Sequence, residues 1–314
     1  MLGLNLSKPD GYFMKHYLIS GGTGLIGSAL CQQLIAAGHK VTVLSRKPST
    51  VEKKCGVGIK AVQSLTDITP DTTIDTVINL AGESIANARW TDKRKKILES
   101  SRIDLTREIV DWISSRKQKP ECLISGSAVG WYGNGGDQVL TEQSPSSYEY
   151  THRLCDAWEK EALLAAEMGV RVCIVRTGLV LSSSGGVLQK MLLPFKLGLG
   201  GNLGSGEQYM PWIHILDMLR LLYFLTTDKR VNGVFNACSP NPVTNQEFTL
   251  ELTQQLHRYS LFSVPAWALK IVLGEVSRLL LTGQRALPKR AIENGFSFTY
   301  PELKPALKNI LDNE

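Results

Sequence analysis

A strand-like run from Lys15 to Ser20 leads straight into Gly21-Gly22-Thr23-Gly24-Leu25-Ile26-Gly27. A helical pattern follows, and then a second strand-like run ending at Ser45-Arg46-Lys47. Few folds accommodate glycines at this spacing between a strand and a helix. Gly21 permits a sharp turn, Gly24 lets backbone approach a pyrophosphate, and Gly27 packs the helix close to the sheet. The unpaired N–H groups and positive dipole end of that helix favour anions. The stretch Gly21, Thr23, Gly24, Leu25, Ile26 and Gly27 is therefore predicted to hold a dinucleotide's phosphates.

The end of the second strand refines the ligand. Sites for NAD usually place an acid there for the ribose hydroxyls, whereas an arginine accommodates a 2′-phosphate. This chain has Ser45, Arg46 and Lys47 and no acid. A guanidinium can bind phosphate through two parallel N–H groups, and a carboxylate would repel it. The expected cofactor is NADP(H).

Strand and helix patterns alternate along the chain. Leu25, Ile26, Ala29, Leu30 and Leu34 share a helical face that ends at Gly38. Strands are predicted at 41–44, 59–65, 76–82, 121–125 and 171–176, with helices over roughly 91–116 and 151–168. This order implies right-handed crossovers and a doubly wound, parallel, Rossmann-like sheet, with ligands at the carboxyl ends of its strands. Gly21, Ser45, the Leu80-Ala81-Gly82 segment and Ser125-Gly126-Ser127 should meet in one crevice. The 314 residues are divided into an extension (1–13), a cofactor-binding domain (14–180, with a return strand near 234–238), and a smaller α/β substrate region and C-terminal module (181–314). Residues 1–13 are expected to be a loose extension.

Composition narrows the partners. A net charge of +6 spread along the chain suits a polyanionic small ligand and gives no nucleic-acid stripe. Lys93-Arg94-Lys95-Lys96 reads as a solvated helix face. No run reaches the roughly eighteen apolar residues of a membrane span. The most apolar late stretch, Val264 to Leu281, is broken by Lys270, Glu275 and Arg278 and reads as a core-packing helix pair. Six cysteines lack metal or redox spacing and suggest a reducing, cytoplasmic setting.

Several segments together resemble the extended short-chain dehydrogenase/reductase superfamily of nucleotide-sugar epimerases. More narrowly, they are similar to its YfcH-like epimerase family, which carries a DUF1731-type C-terminal module. The segments are Gly21–Gly27, Asn79-Leu80-Ala81-Gly82-Glu83, Leu123-Ile124-Ser125-Gly126-Ser127, Arg176-Thr177-Gly178-Leu179-Val180-Leu181, Pro194–Gly201, Gly204-Ser205-Gly206, Trp212-Ile213-His214 and Gly283–Pro288. The resemblance implies that Leu80, Ala81 and Gly82 line the adenosine side and that Val180 lies against the nicotinamide. Sugar epimerases carry an asparagine four residues before a threonine on the 91–116 helix. Here Arg102 stands four before Thr106, where it could contact the cofactor's phosphates.

The resemblance then breaks. Hydride-transferring members use a tyrosine as acid/base, a lysine four residues later to lower its pKa, and a serine to polarise the substrate oxygen. Ser127 stands where that serine belongs, but Tyr150 is followed four later by Leu154, and no lysine occurs between 120 and 159. A phenol without that cation stays near a pKa of about 10. The alternatives are a different acid/base (His214, Tyr132, or Tyr150 with Arg153), hydride positioning with water supplying the proton, or cofactor binding without turnover. Some relatives are linked to plastid or bacterial division, which suits a sensor or regulator. The first expectation is an NADP-dependent oxidoreductase or sugar-nucleotide epimerase acting on a small molecule. Residues 182–212, rich in glycine around Phe195, Tyr209 and Trp212, read as a flap walling the substrate cleft, with Gln284 and Arg285 supplying polar ends.

Overall fold

The computed structural model describes residues 14–259 and 262–313; the expected extension 1–13 lies outside them. Seven strands form the central sheet: β1 (His16–Ser20), β2 (Lys40–Leu44), β3 (Lys60–Val62), β4 (Thr76–Asn79), β5 (Cys122–Ala128), β6 (Arg171–Thr177) and β7 (Gly233–Ala237). Their order is β3-β2-β1-β4-β5-β6-β7, and every pairing is parallel. The chain first winds outward from β1 and then restarts at β4 on its other side, which opens a crevice at their carboxyl ends. Register brings Ser20 level with Leu44 and Asn79, and Asn79 level with Ser125. The fold is the α/β, doubly wound architecture expected from the alternation.

The sheet is covered on both faces, which is why its inner strands read as unbroken apolar runs. Tyr17 and Ile19 point to one face, into a core with α1 (Leu25–Ala36) and the later helix Ile215–Thr227. Leu18 and Val77 point to the other, against Ile109 and Ile113 of the helix after β4. A third core joins Leu188, Leu192 and Phe195 to Trp212, Phe248, Leu252 and the C-terminal Leu303, Leu307 and Ile310.

Four predicted elements differ. The 91–116 helix is built as α2 (Asp92–Glu99) and α3 (Leu105–Ser115), joined by a π-helical turn at Ser100–Asp104. Such a turn takes one residue more than an α-helical turn and often marks a functional site. The strand predicted over 59–65 shrinks to β3, because the Ser64 hydroxyl caps a 3₁₀ turn at Leu65–Asp67. The expected flap contains a helix, Gly186–Lys196, whose Leu188, Leu192 and Phe195 are buried at helical spacing. Its glycines punctuate rather than loosen the segment: Gly198 ends the helix at φ +72°, and Gly204 and Gly206 turn between short strands. Finally, only part of Val264 to Leu281 packs into a core: Val276 is buried against Trp90, Leu98 and Leu154, with Leu273 and Leu279 beside it. The helix Ala266–Leu273 buries none of its residues, and Trp267 is 67% exposed.

Candidate functional site

The glycine turn is a cradle that side chains would fill. Gly21 sits at φ +73°, and a Cβ there would stand 2.6 Å from the Leu80 carbonyl carbon and 2.7 Å from the Ala81 nitrogen. A Cβ on Gly27 would run into the Gly21 carbonyl oxygen, and one on Gly22 would strike Val43. The loop therefore lies flat against Leu80–Ala81 and against β2. Gly24 caps α1 with its N–H donated to Gly21 O at 3.0 Å, and no acidic residue occupies the helix's first turn. The first turn of α1 thus carries no carboxylate of its own, and its positive end suits an anion. Beneath it, Ser20 Oγ donates to Asn79 Oδ1 at 2.5 Å and Asn79 Nδ2 to Thr106 Oγ1 at 2.8 Å, fixing β1 and β4 to α3.

Arg46 projects from the end of β2, 88% exposed, and pairs with Glu83 at 2.9 Å. Ser45 Oγ accepts the Lys47 N–H at 3.2 Å, shaping the turn behind it. Arg102 meets backbone in this structure. It donates to the carbonyls of Glu83 (2.8 Å) and Leu98 (3.2 Å), lies over the Trp158 ring, and fills the space beside Gly82. Burial turns this guanidinium into a brace under the Leu80–Glu83 segment, so its N–H groups serve backbone carbonyls. Val180 is buried in a short strand, Leu179–Leu181, that pairs with Trp212–His214. The Leu25 side chain of the glycine turn reaches Gly185 and Gly186, which places the head of the Gly186–Lys196 helix over the turn.

At the other end of the crevice, Ser127 is buried and its hydroxyl donates to Glu159 Oε1 at 2.5 Å. Glu159 is held in turn by Arg176, Nε to Oε1 at 2.9 Å and Nη2 to Oε2 at 2.8 Å, and Trp131 covers that guanidinium at 3.5 Å. Glu159 belongs to α4 (Tyr150–Leu163), and four-residue steps back along its face are Cys155 and Thr151. Thr151 abuts Gly130 just after β5, and the Cys155 thiol, against Ser127 and Ala128, is pushed by burial up to about 11. Tyr150 lies one position off this row. Its ring packs on Trp90 at 5.1 Å, its hydroxyl donates to Lys95 O at 3.4 Å, and burial raises its pKa to about 12. Tyr132 is buried too, donating to Asn236 Oδ1 at 2.8 Å, with its pKa also raised by burial to about 12.

His214 is fully buried. Its Nδ1 accepts the Leu216 N–H at 3.0 Å, capping the helix Ile215–Thr227, and its ring stacks on Tyr300 at 4.1 Å. Burial lowers its pKa to about 4. These contacts make it a helix cap between two cores. Phe195 and Trp212, expected in a cleft wall, are likewise inside the third core. A cavity of about 460 Å³ lies instead between Gly204–Gln208 and Lys270–Thr282. Its Arg278 pairs at 2.8 Å with Glu149, the residue that caps α4. Gln284 Nε2 donates to Gly133 O at 2.7 Å, and Arg285 lies over Tyr209, so both tie the C-terminal segment to the body.

Among known proteins, residues 17–238 match the NAD dependent epimerase/dehydratase family, and residues 264–310 match a domain of unknown function, DUF1731. The chain belongs to that epimerase/dehydratase family. Epimerase family protein YfhF of Bacillus subtilis is 39% identical over 298 residues, 93% of this chain and 97% of the relative. The chloroplastic epimerase family protein SDR39U1 homolog of Arabidopsis thaliana is 39% identical over 301 residues, covering 93% and 86%. The crystal structure of human epimerase family protein SDR39U1 (isoform 2) with NADPH superposes with a TM-score of 0.86 at 35% identity, covering 95% of this chain and all of that one. MoeE5 in complex with UDP-glucose and NAD, 18% identical with a TM-score of 0.74, shares the fold.

Set in this epimerase/dehydratase fold, the predicted residues divide. Gly21 to Gly27, Ser45, Arg46, Leu80, Ala81 and Gly82 cluster at the carboxyl ends of β1, β2 and β4. Ser127 sits at the end of β5, while the Tyr150 ring packs on Trp90 and the His214 ring on Tyr300. Sequence reasoning missed Glu159, Arg176 and the row they complete. The readable signal was the spacing Thr151, Cys155, Glu159, three residues on one helical face opposite the serine.

Proposed function

We propose that this protein binds NADP(H) and acts as an oxidoreductase on a small molecule, positioning hydride without a tyrosine relay. The observation that carries the reading is the cradle in which Gly21 and Gly27 admit no side chain, with the cation Arg46 beside it. That loop and the α1 N-terminus would hold the pyrophosphate, Ser45 and Arg46 the 2′-phosphate, Leu80 and Ala81 the adenosine side, and Val180 the nicotinamide. The NADPH in the human SDR39U1 crystal supports the same choice of cofactor. When bound, the nicotinamide supplies or accepts a hydride.

Polarising a substrate carbonyl would require Ser127 to donate, yet its proton is committed to Glu159. Its lone pairs remain for accepting from a substrate hydroxyl. Thr151 and Cys155 stand on the helical row facing Ser127, and neither is a cation or a phenol, so water is the proton source this site leaves open. The six free, buried thiols suit a reducing compartment such as the cytoplasm. The same row favours a second reading, a non-catalytic NADP(H) sensor or regulator, which turnover on any physiological substrate would end. Calorimetry tests the cofactor assignment. NADPH should bind roughly tenfold or more tightly than NADH, and Arg46→Ala should erase most of the difference. Equal binding of both nucleotides by the wild type refutes it.

A further inference from the structure

We infer that Glu83 sets the strength of cofactor discrimination: it occupies Arg46 in the free protein and yields it to the 2′-phosphate. The inference rests on the NADP(H) reading. The two partners are held very differently. Arg46 is 88% exposed, and the contact that fixes its guanidinium is Glu83 Oε1 at 2.9 Å. Glu83 is anchored at three further points. Its N–H donates to Ser101 Oγ at 3.1 Å, its carbonyl accepts from Arg102 at 2.8 Å, and its second carboxylate oxygen faces Arg94 at 3.6 Å. Arg94 is itself tied down, donating to Ser84 O at 2.6 Å.

This asymmetry lets Arg46 leave without stranding a charge, because Arg94 still compensates the carboxylate. An exposed ion pair shifts an equilibrium by a small factor, and a phosphate carrying nearly two charges displaces it through paired N–H contacts. Glu83 does not move away, so its charge remains beside the incoming phosphate and tempers the preference. NADH lacks that phosphate and leaves the Arg46–Glu83 pair intact. The carboxylate that NAD-binding sites carry on the second strand is here supplied from the segment after β4, paired with the arginine.

Titrating NADPH and NADH into wild type, Glu83→Gln, Arg46→Ala and the double variant tests the exchange. Glu83→Gln should tighten NADPH by about fivefold at low salt and leave NADH within about twofold. In the Arg46→Ala background it should do little. Glu83→Asp, which withdraws the carboxylate by one methylene and keeps the backbone anchors, should move NADPH affinity the same way by less. If the wild type prefers NADPH and neither substitution tightens it, the exchange is wrong and the cofactor reading stands. If the wild type does not distinguish the two nucleotides, the cofactor reading itself fails.

Discussion

The two ends of the crevice follow opposite rules. At the glycine end the ligand-facing surface is backbone, and the geometry holds only while Gly21, Gly22 and Gly27 lack side chains. At the Ser127 end the surface is side chains on a rigid frame, with Thr151, Cys155 and Glu159 on one helical face. Backbone chemistry is tied to the fold and persists with it. Side-chain chemistry can be exchanged while the fold survives, which is why membership in an epimerase family does not transfer the epimerase's proton relay.

The sharpest test of that contrast is the buried pair beneath Ser127. Removing one partner of a buried ion pair costs about 3–5 kcal/mol, because the other charge is left without compensation. Glu159→Gln should therefore lower the urea-unfolding free energy by about that range, with Arg176→Met added to Glu159→Gln restoring most of it. NADPH affinity of the folded variant should stay the same, since the glycine end is independent. A loss of binding that tracks the loss of stability would break the comparison.

His214 supplies the next largest effect. Its folded pKa, near 4, lies below the unfolded value, so the unfolded chain takes up a proton first as pH falls. The associated stability is complete above about pH 6.5 and is lost between about 6.5 and 4, amounting to about 3 kcal/mol. His214→Asn should flatten the slope of unfolding free energy over that window. Parallel slopes in wild type and variant would mean that the ring titrates as an accessible group, and would return it to the list of acid/base residues.

What the sequence disclosed follows the same division. The glycine turn, the alternating strands and Arg46 were readable because each depends on local spacing: a turn, a two-residue period, a cation at a strand end. Arg102 falls on the expected helix, and the backbone carbonyls of Glu83 and Leu98 that its guanidinium meets are contacts no sequence spacing reveals. Residues 182–212 read as a loop because their glycines were counted, while Leu188, Leu192 and Phe195 set a helical face that outweighed them. Glu159 and Arg176 could not be paired from sequence, because strand β6 brings together residues seventeen apart. The Ala266–Leu273 helix shows the reverse failure: it is apolar in composition, yet none of its residues is fully buried and only Leu273 reaches a core cluster.

The smallest expected effect decides the most about chemistry. Tyr150, with Arg153 one of the alternative acid/bases, opens the helix after β5, yet the face opposite Ser127 begins one residue later at Thr151. Its hydroxyl makes a long 3.4 Å bond to Lys95 O, and its ring is held by Trp90. Tyr150→Phe keeps the ring packing and removes only that bond, so stability should fall by about 0.5 kcal/mol or less. NADPH affinity should not change, and turnover on any substrate found should drop less than about threefold, well short of the 10²–10⁴-fold contribution of a general acid or base. A loss of a hundredfold or more would mean that the phenol reaches the substrate after all, and that both ends of the crevice retain the ancestral chemistry.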